Sequence, residues 1–172
     1  MPVVTGVPLA KTKMYLGIDP GSAGGFAAVT ENGDCLLWPA AEFPTERDLW
    51  EWFQCRRPSL IAEVTAVIEK VGGYMPGSAG NIGSAMFKFG QNFGMLRAFL
   101  CAAGIPYEEV TPAAWQKALG IPTRKKTETK SQQKNKLKAA AQRLFPQEKV
   151  TLATADALLL AEFCRRKKEG RL

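Results

Sequence analysis

Runs of apolar residues, broken by turn-forming clusters, mark most of the elements of this chain before any other property is considered. Met14-Tyr15-Leu16-Gly17-Ile18-Asp19 is an apolar strand closed by an aspartate. Pro20-Gly21-Ser22-Ala23-Gly24 is a turn, and Gly25 to Thr30 a second strand. Glu31-Asn32-Gly33-Asp34 carries the Asn-Gly pair that suits a tight hairpin, so Cys35 to Trp38 follows as a third strand and the chain opens as an antiparallel meander. Thr45 with Asp48 three residues on is a capping-box signal, and Leu49, Trp52 and Phe53 follow at helical spacing. Residues 64–71, rich in Val and Ile, read as an interior fourth strand.

Further on, Gly72 to Gly83 is a glycine-rich loop. Residues 84–102 form a long helix, with Met86, Phe89, Phe93, Leu96 and Leu100 at steps of three and four. Gly90 and Gly94 weaken that helix intrinsically, and close packing against the sheet is their expected reason. Phe87, Met95 and Phe99 lie off its main stripe. Residues 106–110 are a fifth strand. Thr111-Pro112 is a cap with proline at the first helical position, and Gly120 ends the short helix it opens. A basic helix over 129–145 and a final helix from about Ala155 to Lys167 complete the order β-β-β-α-β-α-β-α-α-α. The expectation is one α/β domain over residues 13–172, helices flanking a five-stranded mixed sheet, with residues 1–12 as a loose arm.

Against this frame three acidic residues stand out. Asp19 ends the first strand, Glu69 lies late in the fourth, and Asp156 opens the last helix with Thr154 as its N-cap. A charge in an apolar strand costs several kcal/mol unless something pairs with it. If the first and fourth strands are neighbours, Asp19 and Glu69 emerge at one edge. A divalent metal is then the simplest shared partner, and Mg²⁺ suits a site of few carboxylates with water and phosphate oxygens.

Composition narrows the chemistry. The 172 residues include no histidine, which removes His-dependent nucleophilic catalysis and His metal ligands. The four cysteines are scattered with no Cys-x-x-Cys pair, so free buried thiols are expected and zinc is not. No apolar stretch reaches the ~18 residues of a membrane span, and the opening residues lack a signal peptide's order, so a cytoplasmic protein is expected. Net charge is +7, and the excess is local. Arg124, Lys125, Lys126, Lys130, Lys134, Lys136, Lys138 and Arg143 are opposed within residues 124–143 only by Glu128. Lys130, Lys134 and Lys138 recur every four residues as a stripe that Lys126 extends, which points to a polyanion partner held through its phosphates.

Gly17-Ile18-Asp19-Pro20-Gly21, Val67-Ile68-Glu69-Lys70-Val71, Phe89-Gly90-Gln91-Asn92-Phe93-Gly94 and Ala155-Asp156-Ala157-Leu158 fall in the order seen in the RuvC family of Holliday junction resolvases, which the chain resembles from residue 14 to about 166. The resemblance implies a ribonuclease H-like fold and a homodimeric, Mg²⁺-dependent endonuclease (Mn²⁺ substituting) that nicks opposed strands of a four-way DNA junction. Asp19, Glu69 and Asp156 take the family's catalytic and metal-binding carboxylate positions. Lys125, Lys126, Lys130, Lys134 and Lys138 take the DNA-binding role, and the family's active-site lysine corresponds to one of Lys125, Lys126 and Lys130. The long helix contributes to the dimer interface.

Two departures accompany the resemblance. The family's fourth ligand position is Ala153, and Glu162, about 240° round the helix from Asp156, does not replace it. The family's aromatic three residues past the glutamate is Gly72 here, with Tyr74 and Met75 in the same loop as stand-ins for DNA contact. A flap or fork nuclease of the same fold and a non-catalytic junction binder stay open as alternatives. An actin-like ATPase or sugar kinase, which the Asp19-Pro20-Gly21-Ser22 turn also resembles, needs two such domains. No nucleotide cofactor and no membrane partner are expected.

Overall fold

The computed structural model describes residues 11–59, 62–70 and 82–172. Five strands form one mixed sheet, β1 (Thr12–Asp19), β2 (Gly25–Thr30), β3 (Cys35–Pro39), β4 (Ala62–Glu69) and β5 (Tyr107–Val110), in the order β3-β2-β1-β4-β5. The first three are antiparallel, and β4 and β5 run parallel to β1. The hairpin between β2 and β3 closes through Gly33 at φ +92°, the left-handed conformation the Asn-Gly pair was expected to supply.

Helices cover both faces. On one, α1 (Glu46–Gln54) and α2 (Ile82–Ala102) bury Leu49, Trp52, Phe53, Leu96 and Leu100 against Leu16, Ile18, Phe26, Val64, Ala66 and Ile68. On the other, α3 (Pro112–Ala118), α4 (Lys130–Leu144) and α5 (Ala155–Lys168) pack on Tyr15, Ala27, Val29 and Val67. The period-two alternation of β1 therefore sends even positions to α1 and α2 and odd positions, Asp19 among them, to α5. The capping box of α1 forms as expected, Asp48 N donating to Thr45 Oγ1 at 3.2 Å and Thr45 N to Asp48 Oδ2 at 3.0 Å.

Helix α5 lies directly on β1 at Gly17. A Cβ there would stand 2.0 Å from the Ala157 carbonyl oxygen and 2.3 Å from the Ala161 nitrogen. The small residues Gly17, Ala157 and Ala161 thus set the helix-to-strand distance. One turn along, Glu162, 2% exposed, receives Arg165 at 2.8 Å and Arg166 at 2.7 Å, so its charge is neutralised far from Asp156, in keeping with its exclusion as a fourth ligand.

Several expectations change. Gly90 and Gly94 do not approach the sheet: both are exposed, and a Cβ at either would meet nothing within 4 Å. Of the residues off the α2 stripe, Met95 and Phe99 pack partly into the core, the Phe99 ring 5.3 Å from Trp50, while Phe87 stays 66% exposed. The four cysteines are free, but Cys55 and Cys101 are exposed rather than buried. Strand β1 begins at Thr12, paired with Ala62, and β4 ends at Glu69. Residues 1–10 of the expected arm, and Gly72, Tyr74 and Met75, lie outside the described residues. No helix among the described residues is long and apolar enough to cross a membrane.

Candidate active site

The parallel register of β1 and β4 pairs Ile18 with Ile68, so Asp19 and Glu69 follow side by side at the carboxyl ends of adjacent strands, on the α5 face. Asp156 reaches the same place from the first turn of α5. Thr154 is the N-cap residue by position, yet its side chain does not cap. Its hydroxyl accepts from Thr151 N at 3.1 Å while Thr154 N donates to Thr151 Oγ1 at 3.2 Å, a reciprocal lock on the turn leading into the helix.

Asp19 is held on both sides. Its Oδ1 accepts from Gly21 N at 3.1 Å, forming the turn after β1. A Cβ on Gly24 would lie 2.6 Å from the Asp19 Cγ and 2.8 Å from Oδ2, so that glycine leaves the carboxylate its room. Across the sheet, Asn92 Nδ2 of α2 donates to the Pro20 carbonyl at 2.5 Å. Gly25 does the same service for the segment before α5, since a Cβ there would stand 2.9 Å from the Ala153 carbonyl oxygen.

Lys134, from the middle of α4, enters this cluster. Its ammonium donates to Asp156 Oδ2 at 2.6 Å and stands 3.6 Å from Asp19 Oδ2. Burial alone would pull its pKa down, but Asp156, Asp19 and Glu69 together hold it above the usual lysine value. Glu69 Oε2 accepts from the Trp115 indole Nε1–H at 2.8 Å. Burial, reinforced by repulsion from Asp19 and Asp156, pushes the Glu69 carboxyl up to about 7 against the opposing pull of Trp115 and Lys134. Burial likewise raises Asp156 in spite of Lys134.

Among the described residues no three acidic, cysteine or histidine side chains close on one point as a finished metal-ligand set. The donor chemistry nevertheless fits a hard divalent cation. All three groups offer carboxylate oxygens, and they face a single ammonium. Asp156 Oδ1 is buried with no hydrogen-bond partner among the described residues, a cost of about 1–3 kcal/mol that a bound cation would remove.

The basic residues divide by position. Lys134, expected on the DNA-binding stripe, instead stands among the carboxylates, and Lys125, Lys126 and Lys130, the candidates for an active-site lysine, are exposed with no ion pair to them among the described residues. Lys138 is half-buried one turn beyond Lys134, and Lys136 is engaged by Glu128 at 2.9 Å. Trp115 was not anticipated. Its signal was a tryptophan on an amphipathic helix, which alone indicates only core packing.

A five-stranded mixed sheet of this order with helices on both faces is a ribonuclease H-like fold, and the chain folds like solved RuvC structures. No family model and no curated protein matches the sequence. Among solved structures, that of Thermus thermophilus RuvC aligns over 92% of this chain and 97% of its own at 17% identity and a TM-score of 0.51. The structure of T. thermophilus RuvC in complex with a Holliday junction substrate aligns over the same shares at 16% identity and a TM-score of 0.53.

Proposed function

We propose that this protein is a Mg²⁺-dependent endonuclease that resolves four-way DNA junctions as a homodimer. The observation that carries the reading is the meeting of Asp19, Glu69 and Asp156 around one lysine on the α5 face. The likeness to a resolvase solved with its junction supports branched DNA as the substrate.

Asp19, Glu69 and Asp156 would hold the cation, with Mn²⁺ as a substitute. When bound, Mg²⁺ supplies the charge that activates water and offsets the charge building on the phosphate oxygens. Asp19 keeps its orientation through Gly21 N and the space at Gly24, and Asp156 through the rigid seat of α5 on Gly17. Lys134 holds the two aspartates together in the free protein. Facing DNA, its ammonium is the cationic group nearest the carboxylates and suits contact with the scissile phosphate. The exposed Lys125, Lys126 and Lys130, with Lys138, flank this point and would grip the backbone without reading sequence. Tyr74 is proposed only from its place in the loop after Glu69.

Homodimerisation rests on α2. Gly83, Phe87, Gly90, Gly94, Ala98 and Cys101 fall on one exposed face, in steps of three and four. Among the described residues, nothing outside the helix comes within 4 Å of a Cβ built on any of the three glycines. A second copy of α2 is the occupant this face suits, because small residues let helices approach closely around one large anchor.

Ala153 favours a second reading, a junction binder that does not cut, since it leaves the site with three carboxylates. The test is cleavage of a synthetic four-way junction beside linear duplex and flap DNA, with Mg²⁺ and with chelator. Paired symmetric nicks in the junction alone, lost with chelator, are the result expected. Equal cutting of flaps indicates a broader branched-DNA nuclease, and tight binding with no cutting in either metal indicates the binder.

A further inference from the structure

Trp115 is fully buried, yet its one polar atom is spent on a carboxylate of the site rather than on the backbone. Thr111 and Pro112 start α3 so that Trp115 falls on its inner side, and the Thr111 hydroxyl accepts from Ala114 N at 3.4 Å. The next residue, Gln116, is also buried, and its Oε1 accepts from Gln133 Nε2 at 3.2 Å. Gln133 in turn precedes Lys134 in α4 and reaches the Pro122 carbonyl at 3.4 Å. Neighbouring residues of α3 thus brace Glu69 and α4, and neighbouring residues of α4 brace α3 and the two aspartates. The buried Gln116–Gln133 bond is the link between the two halves.

We infer that Trp115 is a positioning residue of the site: its indole N–H holds Glu69 Oε2 and turns Oε1, which has no hydrogen-bond partner among the described residues, toward the cation. A tryptophan present only for packing has no need of this contact, because an indole N–H is satisfied as well by a carbonyl. An ionised carboxylate makes the stronger bond, and one that fixes a side chain of three rotatable bonds in one orientation. Groups that orient a metal ligand in this way are worth about 10–100-fold in metal affinity.

The inference rests on the reading of the three carboxylates as a cation site, and its test separates the two. The chain has four tryptophans, whose indole N–H signals are resolved by ¹⁵N NMR and assigned with Trp115→Phe. In the otherwise unaltered protein, Mg²⁺ shifts the Trp115 signal and leaves the other three in place. Glu69→Ala moves the Trp115 signal without metal and removes its response to Mg²⁺. Trp115→Phe weakens Mg²⁺ binding about tenfold, and lowers kcat on a junction while KM stays within about twofold. A Trp115 signal indifferent to Glu69→Ala, or to Mg²⁺ that calorimetry shows to be bound, overturns the assignment whether or not DNA is cut. A Trp115 signal that responds to both in a protein that cuts no DNA upholds the assignment and overturns the nuclease reading alone.

Discussion

At the scale of single residues, the site is built by what is left out as much as by what is present. Gly24 is the clearest case, since any side chain there would occupy the space of the Asp19 carboxylate. Gly24→Ala, whose Cβ would also stand 2.5 Å from the Asp19 carbonyl oxygen, should shift the end of β1 at some cost in stability and lower junction cleavage by about 100-fold, the usual effect of an ångström's displacement at a reacting centre. Junction binding measured alongside should change little. Glu69 adds a dependence on pH. Its carboxyl, at about 7 in the metal-free protein, holds a proton below that value and loses the charge that a cation requires. At the proposed cation site, protons and Mg²⁺ would therefore compete. Cleavage at limiting Mg²⁺ should fall roughly tenfold per pH unit below about 7, and saturating Mg²⁺ should move the midpoint to lower pH. A rate at limiting Mg²⁺ that is flat from pH 6 to pH 8 would remove Glu69 from the site.

At the scale of elements, the same chain shows what periodicity reveals and what it conceals. The strands and helices were legible because each declares itself locally: an apolar run closed by an aspartate in β1, a capping box in α1, proline after threonine in α3. The end of β1 was legible too, because a carboxylate closing an apolar run is costly enough to need a reason, whereas the fourth strand read as running to Val71 and ends at Glu69. Two other relations were not local. Trp115 meets Glu69 across 46 residues, and Lys134 meets Asp156 across 22. Which lysine enters the site depends on how α4 sits against α5, and a stripe repeating every four residues offers several equivalent candidates. Glycine was ambiguous for a similar reason. Gly17 marks a close helix-strand contact, whereas Gly90 and Gly94 leave an outer face of α2 open, and sequence alone does not separate the two uses. That open face carries its own prediction. Phe87→Glu should weaken self-association by roughly 30-fold, the effect of losing an anchor worth about 2 kcal/mol. Sedimentation equilibrium reads it directly, and an unaltered association constant would move the interface elsewhere.

For the whole molecule, the sheet sets Asp19 and Glu69 on adjacent strand ends, α5 adds Asp156 beside them, α4 adds Lys134 and an exposed basic flank, and α2 presents an exposed face. On the proposed reading, a dimer of such units paired through α2 would place two cutting sites on one branched substrate, which is what symmetric resolution needs. The measurement that tests this most directly is strand-resolved cleavage of a synthetic four-way junction in Mg²⁺ by the protein and by Asp19→Asn, compared at equal fractions of junction bound. The account predicts paired nicks in opposed strands from the former. It predicts a loss of at least about 1,000-fold in the latter, since several kcal/mol of charge stabilisation disappear with the carboxylate, while the junction stays bound. An Asp19→Asn protein that cuts as the unaltered one does would contradict the assignment of the site.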